Sequence, residues 1–309
     1  MAQVLEKRSI VVRGKNAVIL LFTKIPLSIY FILPVEGFLL FLLIVPAFIS
    51  GWLSGVSWQP TYGIGIFEAS WNGLRNYTEI LTDLRFLNAL WRTFFIAGVA
   101  VCSEFFIGLG LALLCKEDFF GKRVFVAIFI VPLMIMPVVV ANNFFLLFQP
   151  KGPMNQIISW ITRTNFALDW LANPRSALFV IILTEIWHWY PFMFLVMLGG
   201  LSGLPSNVDM AAQLLKASFW QRLWRIWLPQ LKPIIFIAII IRSMEALKIF
   251  DAVYILTRGG PGTSTDTLST YMYEIGFKYY RTSFISAGAW IVLVISILIF
   301  TRAIKPFVE

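Results

Sequence analysis

The chain has 309 residues, of which 59% are hydrophobic and 13% charged, and a mean hydropathy of +0.81. These values exclude a soluble globular protein and define an integral membrane protein. The net charge of +9 is scattered over the ends of apolar stretches with no continuous basic patch, a pattern that excludes nucleic acid and fits membrane topology.

Six apolar stretches reach the roughly 20 residues that a helix needs to cross a bilayer. They cover residues 29–53, 94–115, 125–148, 178–201, 233–256 and 284–300. The whole of 1–309 therefore reads as one transmembrane domain, preceded by a basic segment over 1–28. The first apolar run is long and lacks a small-x-small cleavage site, so it is expected to stay as a signal anchor. Fourteen lysines and arginines fall on the side of the N-terminus and nine on the other. That bias predicts cytoplasmic termini, and it places the connection over 205–229 in the cytoplasm as well. Cys102 and Cys115 share one apolar stretch, and His188 is the sole histidine, which supports neither a disulfide framework nor a zinc site.

The outer connections, 54–93, 149–177 and 257–283, are long and rich in turn residues. They read either as solvated linkers or as a surface for an external partner. Asn76-Tyr77-Thr78 matches a glycosylation triplet, which at three residues carries little weight.

The cytoplasmic stretch 206–229 reads as two short helices. Ser206 with Asp209, and Ser218 with Gln221, have capping-box spacing. Val208, Ala211, Ala212 and Leu215 form one apolar stripe; Trp220, Leu223, Trp224 and Trp227 form the second, and Pro229 is expected to close the unit. By periodicity alone the pair either lies in the membrane interface or meets another protein.

Ionisable groups at membrane depth are candidates for function. The acids are Glu36, Glu104, Glu185, Glu245 and Asp251. Arg242, Glu245, Lys248 and Asp251 succeed one another at i+3 steps, so they either pair along their own helix or line a wet cavity. Glu185, His188, Trp189 and Phe192 share one face that mixes polar groups with rings, which suits a sugar, although a lone histidine is more often a packing residue. Glu104 offers a partner for a neighbouring helix, and Pro132, Pro137, Asn142 and Asn143 mark a kink with interhelical hydrogen bonds. No phosphate loop, nucleophile or metal constellation is present, so the chain is expected to be no enzyme and to bind no nucleotide.

Several motifs together resemble the permease subunits of binding-protein-dependent ABC importers of the carbohydrate branch. They are Met210-Ala211-Ala212, Lys216-Ala217-Ser218, Trp220-Gln221-Arg222-Leu223 and Trp227-Leu228-Pro229 in the cytoplasmic stretch. Trp187-His188-Trp189-Tyr190-Pro191-Phe192, Phe250-Asp251, Gly259-Gly260-Pro261-Gly262 and Gly73-Leu74-Arg75-Asn76-Tyr77 extend the likeness over nearly the whole chain. The resemblance implies an all-α, six-helix type I importer permease in a bacterial cytoplasmic (inner) membrane, working by alternating access. It implies a homologous second permease as a heterodimer partner, a dimer of ATP-binding subunits that hold ATP and magnesium, and an external solute-binding protein. It implies that Asp209, Met210, Ala211, Ala212, Lys216, Ala217 and Ser218 dock on the ATPase as a coupling helix, so that a bulky charge at Ala211 or Ala212 would uncouple it. It also implies that Glu185, His188, Trp189 and Phe192, with Arg242, Glu245 and Ile249, line the solute path. Met210, Leu215 and Lys216 stand where the family has glutamate, aspartate and glycine. Either Asp209 replaces the glutamate one position earlier, or this is the less conventional half of a pair. The alternative class is a proton- or ion-coupled secondary transporter or channel, in which the intramembrane acids would carry protons.

Overall fold

The computed structural model describes residues 27–308, so all but the last two positions of the basic segment 1–28 lie outside the described residues. Helix α1, Leu27–Ser54, covers the first predicted span. It lies along the C-terminal helix, and its most apolar stretch is unburied within the chain, as suits lipid or a second membrane protein. A hairpin follows, β1 Val56–Ser57 paired antiparallel with β2 Ser70–Trp71, and then α2, Arg75–Thr82. Alternation over two residues leaves no readable strand signal, and such short strands leave the all-α class intact.

Helix α3, Leu84–Leu114, starts well ahead of the predicted 94. The Asp83 carboxylate accepts the N–H groups of Arg85 at 2.7 Å and Phe86 at 3.3 Å, which fixes the start, while Arg85 and Arg92 hide the extension from a hydropathy reading. The third predicted span is two helices, α4 Lys122–Met134 and α5 Pro137–Leu147, bent by 95°. Pro137 has no N–H to continue the ladder, and Met136 before it is extended, at φ −60° and ψ 138°. The expected kink is there. Asn142, however, donates to the Val138 carbonyl of its own helix at 2.9 Å and bridges to no neighbour.

After α6, Pro153–Thr162, helix α7, Pro174–Ser202, runs unbroken through Pro191 and packs against α3. A Cβ on Gly108 would sit 2.6 Å from the Phe194 backbone nitrogen, so only glycine permits this approach. Helix α8, Ser206–Leu214, and α9, Phe219–Arg222, follow. Pro229 does not close the unit. A π turn over Leu223–Trp227 leads directly into α10, Leu228–Ala246. The Leu228 N–H donates to the Leu223 carbonyl, which shifts the ladder by one residue just before the proline that lacks a donor.

The fifth predicted span, 233–256, is also interrupted. Helix α10 stops at Ala246, residues 247–250 are non-helical, and α11 is Asp251–Leu256. Helix α12, Leu268–Tyr273, and a π turn over Glu274–Lys278 lead to α13, Thr282–Val308. Among the described residues, α1, α3, α7 and α13 are long and apolar enough to cross a membrane, and the bent α4–α5 pair makes a fifth. Helix α10, in the place of the remaining predicted span, carries Lys232, Arg242 and Glu245.

The connection 257–283 is packed, not a solvated linker. Asp266 is buried, and its carboxylate accepts from Arg85 Nε at 2.8 Å. The Leu268 N–H donates to Thr93 Oγ1 at 2.9 Å, and the Tyr271 hydroxyl donates to Asp83 at 2.6 Å, which ties the connection to α3.

Candidate functional site

A cleft of about 200 Å³ opens where the chain is least regular. Its walls come from the start of α5 (Pro137, Val140), from one face of α7 (Thr184, Glu185, His188, Trp189), and from the interruption after α10 with the start of α11. Non-helical backbone at membrane depth is tolerated only where it is buried in protein or lines a cavity; Leu247 packs into the core, and Lys248, Ile249 and Phe250 line the cleft. Of the predicted path residues, Glu185, His188, Trp189, Glu245 and Ile249 meet here. Lys248, Phe250 and Asp251 join them, and the charge ladder read from the sequence was their signal.

Phe192 and Arg242 are not in the lining. Phe192 packs edge-on against Trp189 and into the α3–α7 core, because a residue at i+7 keeps the same face but lies two turns, about 10.5 Å, further along the helix. Arg242 faces away from its own ladder. Its Nε and one terminal nitrogen donate to the two Glu104 oxygens at 2.7 and 2.9 Å, and the same terminal nitrogen reaches Glu185 at 2.8 Å. Trp189 covers the guanidinium, with 4.6 Å to the ring centroid. The side chains of Arg242 and Glu104 are 1% and 0% exposed, so this fork on a carboxylate is dry, and it joins α3, α7 and α10. Glu245 pairs instead with Lys248 at 2.7 Å on an exposed surface.

His188 braces the bend from the cleft wall. Its Nε2 lies 3.1 Å from the Ile135 carbonyl, one of the acceptors freed where α4 and α5 separate. The packing reading of this histidine fits that bond, and its ring also forms part of the cleft wall.

On the connection 205–229, Asp209 turns inward. Its carboxylate accepts from Lys116 at 2.9 Å, from Trp227 Nε1 at 3.0 Å and from Arg222 at 3.3 Å, bracing α8 against the α3–α4 connection and the π turn. Burial opposes its charge, but the hydrogen bonds from Lys116 and Trp227 and the charges of Lys116 and Arg222 outweigh it, so its pKa lies below the ordinary carboxylate value. This engaged carboxylate is no free substitute for the absent glutamate, nor does it cap α8, which follows the extended Pro205. The second capping box does form: Ser218 N–H donates to Gln221 Oε1 at 2.8 Å and Gln221 N–H to Ser218 Oγ at 3.3 Å.

The face that α8 offers outward is apolar. Met210, Leu214 and Leu215 are 56%, 85% and 84% exposed, and Ala211 lies beside them, whereas Ala212 is buried. A charge at Ala212 would therefore disturb α8 itself, and Ala211 is the cleaner probe. Lys216 has φ +55° at the end of α8, with Ala217 N–H on the Ala212 carbonyl at 2.9 Å and Lys216 N–H on Gln213 at 2.9 Å, a Schellman ending. That conformation explains a glycine in the family. Lys216→Gly is expected to raise stability by up to about 1 kcal/mol, read as a higher unfolding midpoint; an unchanged or lower midpoint would show no strain there.

Residues 105–308 match the family described as binding-protein-dependent transport system inner membrane component. The trehalose/maltose transport system permease protein of Thermococcus litoralis is 32% identical over 277 residues, 88% of this chain and 90% of that one. The sulfoquinovosyl glycerol transport system permease protein of Agrobacterium fabrum is 34% identical over 231 residues, 74% of each. The fold matches a bacterial ABC transporter involved in import of the acidic polysaccharide alginate, with a TM-score of 0.76 at 23% identity over 89% of this chain and 93% of that one. Nothing in these matches favours a proton-coupled transporter or channel. The chain belongs to the binding-protein-dependent transport system inner membrane components: it is a multi-pass permease subunit of an ABC importer with the type I fold, non-catalytic, its ATPase a separate subunit.

Proposed function

We propose that this subunit forms half of the path for a neutral, hydroxyl-rich solute of the sugar class, with the cleft between α5, α7 and the break after α10 as its contact surface. The observation that carries the reading is the interrupted helix itself, which brings Glu185, Trp189, Lys248, Phe250 and Asp251 around one cavity. Sugars need hydrogen-bonding groups at their hydroxyls and apolar rings against their C–H faces, and this lining supplies both. From Phe250 a ladder of rings continues outward: Phe250 stacks on Tyr254 at 5.1 Å, Tyr254 meets Tyr273 at 5.3 Å, and Tyr273 stacks on Phe277 at 5.6 Å. Charge argues against anions. The lining holds Glu185, Glu245 and Asp251 against Lys248, while Arg242 is consumed by Glu104 and Glu185.

In this reading the chain pairs with a homologous second permease, and the unburied α1 offers that partner a long apolar face. Both termini lie in the cytoplasm. Helix α8 docks on an ATP-binding subunit through Met210, Ala211, Leu214 and Leu215, with Lys216, Ala217 and Ser218 shaping its end and Asp209 bracing it from behind. ATP and magnesium are held by those partners. An external binding protein delivers the solute, and closure of the ATPase dimer swings the helices from outward to inward access.

The test is uptake into vesicles that contain the whole importer with its cognate binding protein. Labelled trehalose, maltose or a related neutral sugar is expected to accumulate only with ATP. Accumulation of uronates alone, or uptake that survives without ATP and collapses with the proton gradient, would contradict the reading.

A further inference from the structure

Outside the membrane, the hairpin, α2 and the start of α13 enclose a second cavity of about 440 Å³ that shares no residue with the cleft. That volume lies within the range of small-molecule sites. Its lining is mostly polar, with hydroxyls from Ser57, Ser70 and Ser283, amides from Gln59 and Asn72, and rings from Trp58 and Tyr62 at its edge. Arg75, Glu79 and Arg281 complete it, and Glu79 is paired with Arg281.

Cross-ties between all three elements hold the cavity open. Asn76 is buried and spends its amide hydrogens on the Ser54 and Val56 carbonyls, each at 2.9 Å, pinning α2 to the hairpin. It is therefore a brace, unavailable as a glycan acceptor. The Trp58 N–H donates to Ser283 Oγ at 3.1 Å, pinning the hairpin to α13. One lining atom is left unsatisfied: Asn72 Oδ1 is shielded from solvent and accepts no hydrogen bond, although its own amide donates to Asn76 at 3.3 Å. An acceptor in that state costs free energy until a donor arrives.

We infer that this cavity binds a hydroxyl-rich group of the size of one sugar ring, with Asn72 swinging its enclosed Oδ1 into the cavity to accept from a ligand hydroxyl and Arg75 donating to another. Preorganisation supports this, since the cross-ties fix the donors and acceptors before any ligand enters. The group could reach the cavity as free external sugar or as the hydroxylated headgroup of an outer-leaflet lipid, because both present the same chemistry. The inference stands apart from the cleft, and its test separates the two.

The experiment is saturation-transfer NMR with methyl α-D-glucoside on the assembled importer in phosphatidylcholine nanodiscs. Ser70→Tyr fills the cavity from a strand position that favours aromatics, and Asn72→Leu removes the acceptor. Lys248→Trp fills the cleft instead, removing its lining cation together with an exposed ion pair. With the cleft filled by Lys248→Trp, the expected result is a signal that persists while the cavity is intact and falls at least tenfold when Ser70→Tyr or Asn72→Leu is added. With phosphatidylglycerol in the disc, an unchanged signal identifies free sugar as the ligand, and a suppressed one identifies the headgroup. A signal lost in Lys248→Trp alone, one that Ser70→Tyr leaves unchanged in that background, or none throughout would overturn the inference.

Discussion

Arg242→Met is expected to destabilise the permease by about 3–5 kcal/mol, because it strands the Glu104 carboxylate in a dry interior and leaves Glu185 at the cleft wall without its cation. The size follows from what remains, not from what is removed. Each glutamate has been taken out of water at a cost that only the guanidinium offsets, and at 0% exposure Glu104 has no route back to solvent. The measurement is the unfolding midpoint of the purified assembly in detergent. The triple variant Arg242→Met, Glu104→Gln, Glu185→Gln removes all three charges together and is expected to recover most of the loss. A single variant as stable as wild type, or a triple variant no better than the single, would show that this cluster does not hold α3, α7 and α10 together.

Leu214→Asp is the second large effect. The side chain is 85% exposed, so the change should move the fold by no more than about 0.5 kcal/mol. If α8 seats in the ATPase through its apolar face, a charge at that anchor costs about 2 kcal/mol of docking, about 30-fold in affinity. Co-purification of the ATP-binding subunits and ATP-dependent uptake should fall together, and Ala211→Glu should behave alike. The rows of contacts behind α8 should be untouched, since Asp209 faces Lys116, Arg222 and Trp227. Full docking with Leu214→Asp would leave the outward face without its assigned partner.

The sequence made the long crossings legible because hydropathy sums over many residues and tolerates local error. Boundaries set by one side chain were less legible: the Asp83 cap extends α3 past two arginines that a hydropathy window reads as the end. The break after α10 was hidden for a related reason. Arg242, Glu245, Lys248 and Asp251 have helical spacing, and nothing in that spacing says that Arg242 would turn to α3 and α7 while Asp251 begins a new helix. The hairpin was invisible, because two-residue strands have no period to detect. One wall of the cleft was nonetheless legible, since Glu185, His188 and Trp189 share one face of α7 whatever happens at its ends. Asp209 shows the opposite limit. Its position beside the departed glutamate suggested a substitute, and only the fold shows Lys116 and Trp227 already holding it.

The most direct test of the solute path is uptake by importer carrying Trp189→Ala. A ring that packs on a sugar contributes about 1–1.5 kcal/mol, which corresponds to about tenfold. ATP-driven uptake of the neutral sugar is predicted to fall by at least that factor while the subunits still assemble. Unchanged uptake kinetics in this variant would contradict the account and return the cleft to plain packing.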